Sequence, residues 1–383
     1  MTTPASVIIS TESPFARDVF TKRHPALIDR VMAAFPFGRE QRQALALLAE
    51  ENVSGVIEPL PGTAVDAEQW TAWGAGFYGQ PWAAVPFLWA ESYFYRRLLE
   101  ATGFFSEGPW RGVDPFAPFK HAELAGEQVA EELRALDGWS GLPEEQRAGL
   151  LLQSSLWGNR ADLALEITEG SSRESSGLVA DDSVELWRLL EEGRGGTVVL
   201  VADNAGRELL PDLVLIDHLL ASGLADTVEL HVKPSPYYVS DATPTDVAEC
   251  VQELLRGQGE ARTVGLRLRE AAAAGQLRVR THAFYCAPLD FSEMPADLAE
   301  QFAAATVTIL KGDLNYRRLV GDRWWQPTTT FADVTSYVPG RVAALRTLKS
   351  DVVVGLTMET VCGLDASGSG WRTDGTHGLV QVR

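Results

Sequence analysis

At VADNAGRELL (201–210) a run of small apolar residues stops at an acid and an amide set side by side, Asp203 and Asn204. Farther along, HVKPSPYYVSDAT carries Lys233 and Asp241, and KGDLNYRRLVGD carries Lys311, Asp313, Asn315 and Arg317. Two carboxylates and an amide carbonyl are hard oxygen donors, a set suited to Mg²⁺, Mn²⁺ or a similar divalent ion. Each piece also has a plain structural reading. Asp-Asn-x-Gly is a common turn and cap sequence, Asp241 can cap a helix beginning near Pro244, and GDLNYRRL can be a turn followed by a solvated helix face. Convergence at neighbouring strand ends is what favours ligation over capping, because an ion needs several oxygens at once and a cap needs one.

Other chemistries lack their residues. The six histidines show no His-x-x-x-His pair, and Cys250, Cys286 and Cys362 are too scattered for a zinc knuckle or a disulfide framework. There is no Gly-x-Ser-x-Gly elbow, no Walker-type phosphate loop and no dinucleotide fingerprint at the first strand. A formal charge of -19 repels polyanions, which argues against nucleic acid as a partner. A small phosphorylated substrate would need a metal ion or a few placed cations such as Lys349. No apolar run approaches the roughly 20 residues of a membrane span, and the opening residues lack a secretory pattern, so a cytoplasmic protein is expected. The oligomeric state is not legible.

The elements that must position these residues change character along the chain. Residues 1–168 read as a helical region, with three- and four-residue apolar spacing in HPALIDRVMAAF and FLWAESYFYRRLLEATGFF. EGSSRESSGLVADDS (169–183) reads as a flexible linker. Residues 184–383 read as a three-layer α/β/α Rossmann-like domain with a mainly parallel sheet, from the strands TVVLVA, TVELHV, LRVRTHAF, TVTILK and DVVVGL. In ALRTLKSDVVVGL the spacing predicts an amphipathic basic helix, carrying Arg346 and Lys349, ahead of the last strand.

WAESYFYRR (89–97), LWGNRADL (156–163), VADNAGRELLPDL, YYVSDAT, KGDLNYRRLVGD and the Arg-Thr-x-Lys signature RTLK (346–349) occur in the order seen in a known family. The chain resembles the metal-dependent damage-control phosphatases, formerly a domain family of unknown function. The resemblance is to the subfamily that includes a protein first described as an acidic-residue carboxyl methyltransferase. It implies that Asp203, Asn204 and Asp241 hold a divalent ion (Mn, Co, Ni or Mg) and, with Lys349, carry the catalysis. It implies further that Gly312, Asp313, Asn315, Tyr316 and Arg317, with Arg346 and Lys349, line the phosphate and sugar. Glu91 corresponds to a family substrate contact, and Asn159 lies in a family motif. The implied activity is hydrolysis of small phosphorylated metabolites, sugar phosphates such as fructose 1-phosphate among them. The haloacid-dehalogenase Asp-x-Asp arrangement is absent because position 205 is Ala, which points to water rather than Asp203 as the nucleophile. Two other readings stand beside this one: an S-adenosylmethionine-dependent carboxyl methyltransferase, although the Gly-rich loop typical of such enzymes is missing, and a non-catalytic sugar-phosphate-binding protein.

Overall fold

The computed structural model describes residues 5–139, 141–158, 177–368 and 370–383. Seven strands form one sheet: β1 Leu178–Asp181, β2 Gly196–Val201, β3 Ala225–Val232, β4 Leu277–Thr281, β5 Val307–Lys311, β6 Val342–Thr347 and β7 Gly378–Val382. Their order is β1-β7-β6-β5-β2-β3-β4. All neighbours are parallel except β6 and β7. The chain builds outward from β2 through β3 to β4, then returns to β2's other side with β5. The gap between β2 and β5 is therefore the switch point where open α/β sheets place their ligands.

Side-chain parity assigns each strand face to a separate core. Val199, Val201 and Leu310 join one cluster with Phe20, Phe94 and Phe116 from the N-terminal helices. Val198, Leu200 and Ile309 join the other with Leu133, Leu152, Leu213 and Leu254. Strands covered on both faces need apolar residues at successive positions, and GTVVLV supplies them. The helical stretch thus divides over the sheet: the helix Phe87–Thr102 packs on the first face, whereas Glu127–Trp139 and Glu144–Trp157 pack on the second. Among the described residues no helix is long and apolar enough to cross a membrane.

Three local expectations are corrected. Residues 178–181 of the expected linker form β1 at the sheet edge, and a helix starts at Ser183. VAALRT, expected as part of a basic helix, is β6, with Val342 to Leu345 fully buried. DVVVGL (351–356), expected as the last strand, is a buried loop without a strand ladder, tied by side chains: Val354 N donates to Tyr316 Oη (3.2 Å) and Gln381 Nε2 donates to Val354 O (2.7 Å). Buried backbone groups need partners, and these side chains replace a neighbouring strand.

Candidate active site

Just past their carboxyl ends β2 and β3 splay, and residues 240–242 insert between them. Ala205 N donates to Ser240 O (2.7 Å), Ala242 N to Asp203 O (2.9 Å) and Lys233 N to Ala242 O (2.9 Å). Asn204 and Asp241 are paired in an antiparallel bridge. The capping alternative for Asp241 fails on geometry, because the helix Pro244–Arg256 is capped by a Thr243–Asp246 capping box. Asp241 Oδ2 instead accepts the Tyr238 backbone NH (2.9 Å). Nor do Asp203 and Asn204 cap the helix Leu209–Ala221, whose N-cap position is Glu208. Gly206, at φ +61°, turns the backbone away after the pair.

Asp203 and Asp241 are buried, and the bridge between Asn204 and Asp241 sets Asp241 near enough to Asp203 for the two charges to repel. Burial raises the Asp203 carboxyl well above the usual carboxylate range, the Glu208 and Asp241 charges push it further, and Lys233 and Lys349 oppose them. Asn204 Nδ2 donates to Asp203 Oδ2 (3.2 Å) and to Glu208 Oε2 (3.0 Å). Asp203 Oδ1, Asn204 Oδ1 and Asp241 Oδ1 accept no hydrogen bond from a described residue. Three unengaged oxygens beside a buried, repelled carboxylate are a donor set that fits a hard divalent cation. No three His, Cys, Asp or Glu side chains gather as a metal centre among the described residues, so the fit depends on Asn204 as the third donor.

The helix Gly312–Val320 begins against this cluster. Gly312 sits at φ +84°, and a methyl group on it would overlap the Asp203 carboxylate, so glycine is required twice over. Asp313 Oδ1 accepts Arg346 Nε (2.8 Å), Ser350 Oγ (3.1 Å) and the Lys349 backbone NH (3.2 Å). Burial opposes its charge, but Arg346 and Arg317 hold its pKa below the ordinary value. Asn315 is fully buried; its Nδ2 donates to Ala202 O (3.0 Å) and Lys311 O (2.8 Å), while its Oδ1 has no partner. Lys349 is half exposed at the rim, with Nζ 3.3 Å from Glu208 Oε1.

Several expected residues face elsewhere. Tyr316 Oη donates to Gln381 Oε1 (2.9 Å) inside the core, away from the carboxylates. Arg346 is fully buried, stacks 4.3 Å from the Tyr316 ring centroid and binds Asp313 and the 350–352 loop, so it braces Asp313. Arg317 pairs with Asp322 and, through Nη1, with Glu91 Oε2 (2.7 Å). Glu91 also receives Tyr238 Oη (3.3 Å), and the Tyr238 backbone NH binds Asp241, so Tyr238 links the helix Phe87–Thr102 to the cluster. Lys311 points to the opposite face, where Nζ meets Asp212 Oδ1 (2.6 Å). Asn159 lies outside the described residues.

Two site residues had no signal in the sequence reading. Glu208 brings a further carboxylate between Asn204 and Lys349, visible in sequence only as an acid one helical turn after Asn204. Lys120, from the helix Ala117–Leu124, is buried and donates to Asp241 O (2.9 Å) and to Asp246 (3.0 Å), pinning the inserted segment from below.

Residues 19–361 match the damage-control phosphatase ARMT1-like domain. The chain is 31% identical to the mouse damage-control phosphatase ARMT1 over 432 residues, covering 99% of this chain and 98% of that protein. The zebrafish protein of the same name is 28% identical, covering 100% and 97% respectively. A crystal structure of a DUF89 family protein from Pyrococcus horikoshii shares the fold, with a TM-score of 0.52 at 14% identity over 96% of this chain and 97% of that one. With the match spanning both the N-terminal helices and the carboxylate-bearing strand ends, the chain belongs to the ARMT1-like damage-control phosphatase family.

Proposed function

We propose that the chain is a divalent-metal-dependent phosphomonoesterase acting on small phosphorylated sugars, with fructose 1-phosphate as a representative substrate and Mn²⁺, Co²⁺, Ni²⁺ or Mg²⁺ as the ion. The observation that carries this reading is the Asn204–Asp241 bridge just past β2, with Asp203 beside Asn204 and the start of the helix after β5 against Asp203, so that two carboxylates and an amide flank the switch point of the sheet. Asp203, Asn204 and Asp241 would hold the ion, which when bound supplies Lewis-acid charge to a phosphate oxygen. The rest is done by the chain itself. The amino end of the helix Gly312–Val320 abuts Asp203, and its free backbone NH groups suit a phosphoryl oxygen. Asp313, braced by Arg346, and Glu91, braced by Arg317, are acceptors for sugar hydroxyls. Water is the nucleophile in this reading, because Asp203 is held by Asn204 and backed by Gly312; a base-labile phosphoenzyme lost in Asp203→Asn would replace water with Asp203.

Chelated protein resupplied with each ion in turn and given a panel of phosphomonoesters should release inorganic phosphate only with metal. Absence of release with every ion and ester would overturn the reading. Lys349, at the rim with its ammonium on Glu208, should act mainly on substrate binding. Lys349→Ala is expected to raise KM and lower kcat/KM by about 10- to 100-fold, the range of one charge-assisted hydrogen bond. Steady-state kinetics on the best ester of the panel measure it.

A further inference from the structure

Lys233 is the one strand-end cation that the site described above leaves without a task. Its residue is 1% exposed. Its backbone NH bonds Ala242 O, but its ammonium makes no hydrogen bond or ion pair with a described residue, whereas Lys311, the lysine that ends β5, is saturated by Ser155 and Asp212. An ammonium buried without a partner is costly, and folds keep one where a ligand completes its shell.

Parity places it. In β3, Val228, Leu230 and Val232 point into the core of the second face, so His231 and Lys233 lie on the first. In β2, Val199 and Val201 lie on that first face, and alternation puts Asp203 there too. Val201 pairs with His231 in register, so Asp203 and Lys233 stand opposite each other across the inserted segment. The bridge to Asn204 holds Asp241 in the inserted segment beside Asp203, and its charge acts on Asp203 and on Cys286. The Lys233 charge acts on Asp203 and on Cys286, and its Nζ lies 6.0 Å from the Tyr285 ring centroid. It is therefore near Asp203 without being bonded to it. A tetrahedral anion drawn to an ion held by Asp203, Asn204 and Asp241 would turn an oxygen toward this ammonium.

We infer that Lys233 is the inner phosphate-binding cation of the site, meeting an oxygen of the transferring phosphoryl group from below while Lys349 meets the ester from the rim. The inference rests on the phosphatase reading for its catalytic consequence, but not for its binding consequence. A buried ammonium holds its position without ordering cost and its field is little screened, so it gains strength as charge builds on the phosphoryl oxygens. Lys349, half exposed, is better suited to capture.

The test uses Mn²⁺-loaded full-length protein, with Lys233→Met as the uncharged variant of similar shape and Lys233→Arg as the charged one. Inorganic phosphate binding is measured by calorimetry, Mn²⁺ affinity and melting temperature alongside it, and kcat and KM on the best ester. Lys233→Met should weaken phosphate binding at least about 10-fold and lower kcat/KM by roughly 100-fold, as removal of one preorganised donor to a developing oxyanion does. Mn²⁺ affinity should stay equal or tighten, because a repelling charge has gone, and Lys233→Arg should recover part of the phosphate affinity. A merely structural lysine would give the opposite pattern: Mn²⁺ affinity and melting temperature fall while phosphate affinity per metal-loaded site is unchanged, and that outcome overturns the inference. If the wild-type protein turns over no ester yet binds phosphate through Lys233, the phosphatase reading fails and this inference stands. If the wild-type protein binds no phosphate, the inference fails.

Discussion

Asp241→Ala is expected to abolish metal binding and to cut phosphate release by roughly 1000-fold or more, as loss of a ligand that positions both ion and substrate does. The reason lies in how little else depends on this carboxylate. Its Oδ2 accepts one backbone NH, from Tyr238, and its Oδ1 accepts nothing among the described residues. The segment that carries it is fixed by its backbone: Asn204 pairs with it, Ala242 bonds Asp203 O, and Lys120 bonds the Asp241 carbonyl. The following helix has its own capping box. The variant should therefore fold, with a metal-free melting temperature close to that of the wild type. Calorimetric titration with Mn²⁺ and an assay of phosphate release would show the two losses together. Full turnover in Asp241→Ala would sink the assignment of this cluster, and loss of activity with metal affinity intact would move Asp241 from ligand to positioning group.

The parts of the site that sequence alone made legible are those set by residue type at a strand end. Asp203 and Asn204 stop an apolar run that could only be a covered strand, and Gly312 precedes a polar helix start; both placements follow from local chemistry. Parity is what sequence does not carry past a strand end. Lys233 and Lys311 look equivalent as the first lysine after a β-branched run, yet one faces the carboxylates and the other Asp212. Arg346 and Tyr316 belong to the same matched motifs as Lys349 and Asp313, and they act one layer deeper, on Asp313 and on Gln381.

Fold elements were misread for a related reason. VAALRT has the composition of a helix, since Ala, Leu and Arg all favour one, but its place between β5 and β7 makes it a strand: tertiary pairing outweighs propensity of a few tenths of a kcal/mol per residue. DVVVGL has the composition of a strand and no strand ladder: Arg346, Tyr316 and Gln381 bond the backbone of Val352 and Val354, and Gly355 and Leu356 bond carbonyls of Thr329 and Pro327. The edge strand β1 and its neighbour β7 are short and lie near the ends of the α/β region, where no helix-strand alternation announces them.

Metal should reverse the stability order of the wild type and Asp203→Asn. In the metal-free protein, burial lifts the Asp203 carboxyl well above its ordinary 3.8, with Glu208 and Asp241 adding repulsion. The folded chain then keeps a proton that the unfolded chain releases. The contribution to stability is fully present below the unfolded value and is lost as pH rises toward the raised folded value. Glu91, Asp212 and Asp290, also raised by burial, tilt the curve the same way, so the comparison must be wild type against variant at matched pH. Without metal, Asp203→Asn should be more stable than the wild type by about 1–3 kcal/mol near pH 8, the cost of an unmatched buried polar or charged group, and the difference should shrink toward pH 4. Saturating Mn²⁺ should invert the order. The wild type gains about 2.7 kcal/mol at a metal concentration of 100 Kd, whereas the amide variant, having exchanged a carboxylate for a neutral donor, gains far less at the same concentration. Urea melts at pH 4 and pH 8, in chelator and in Mn²⁺, contain the whole comparison. Parallel pH slopes for the two proteins in chelator would show that Asp203 does not carry the buried charge, and equal stabilisation by Mn²⁺ would remove it from the coordination sphere.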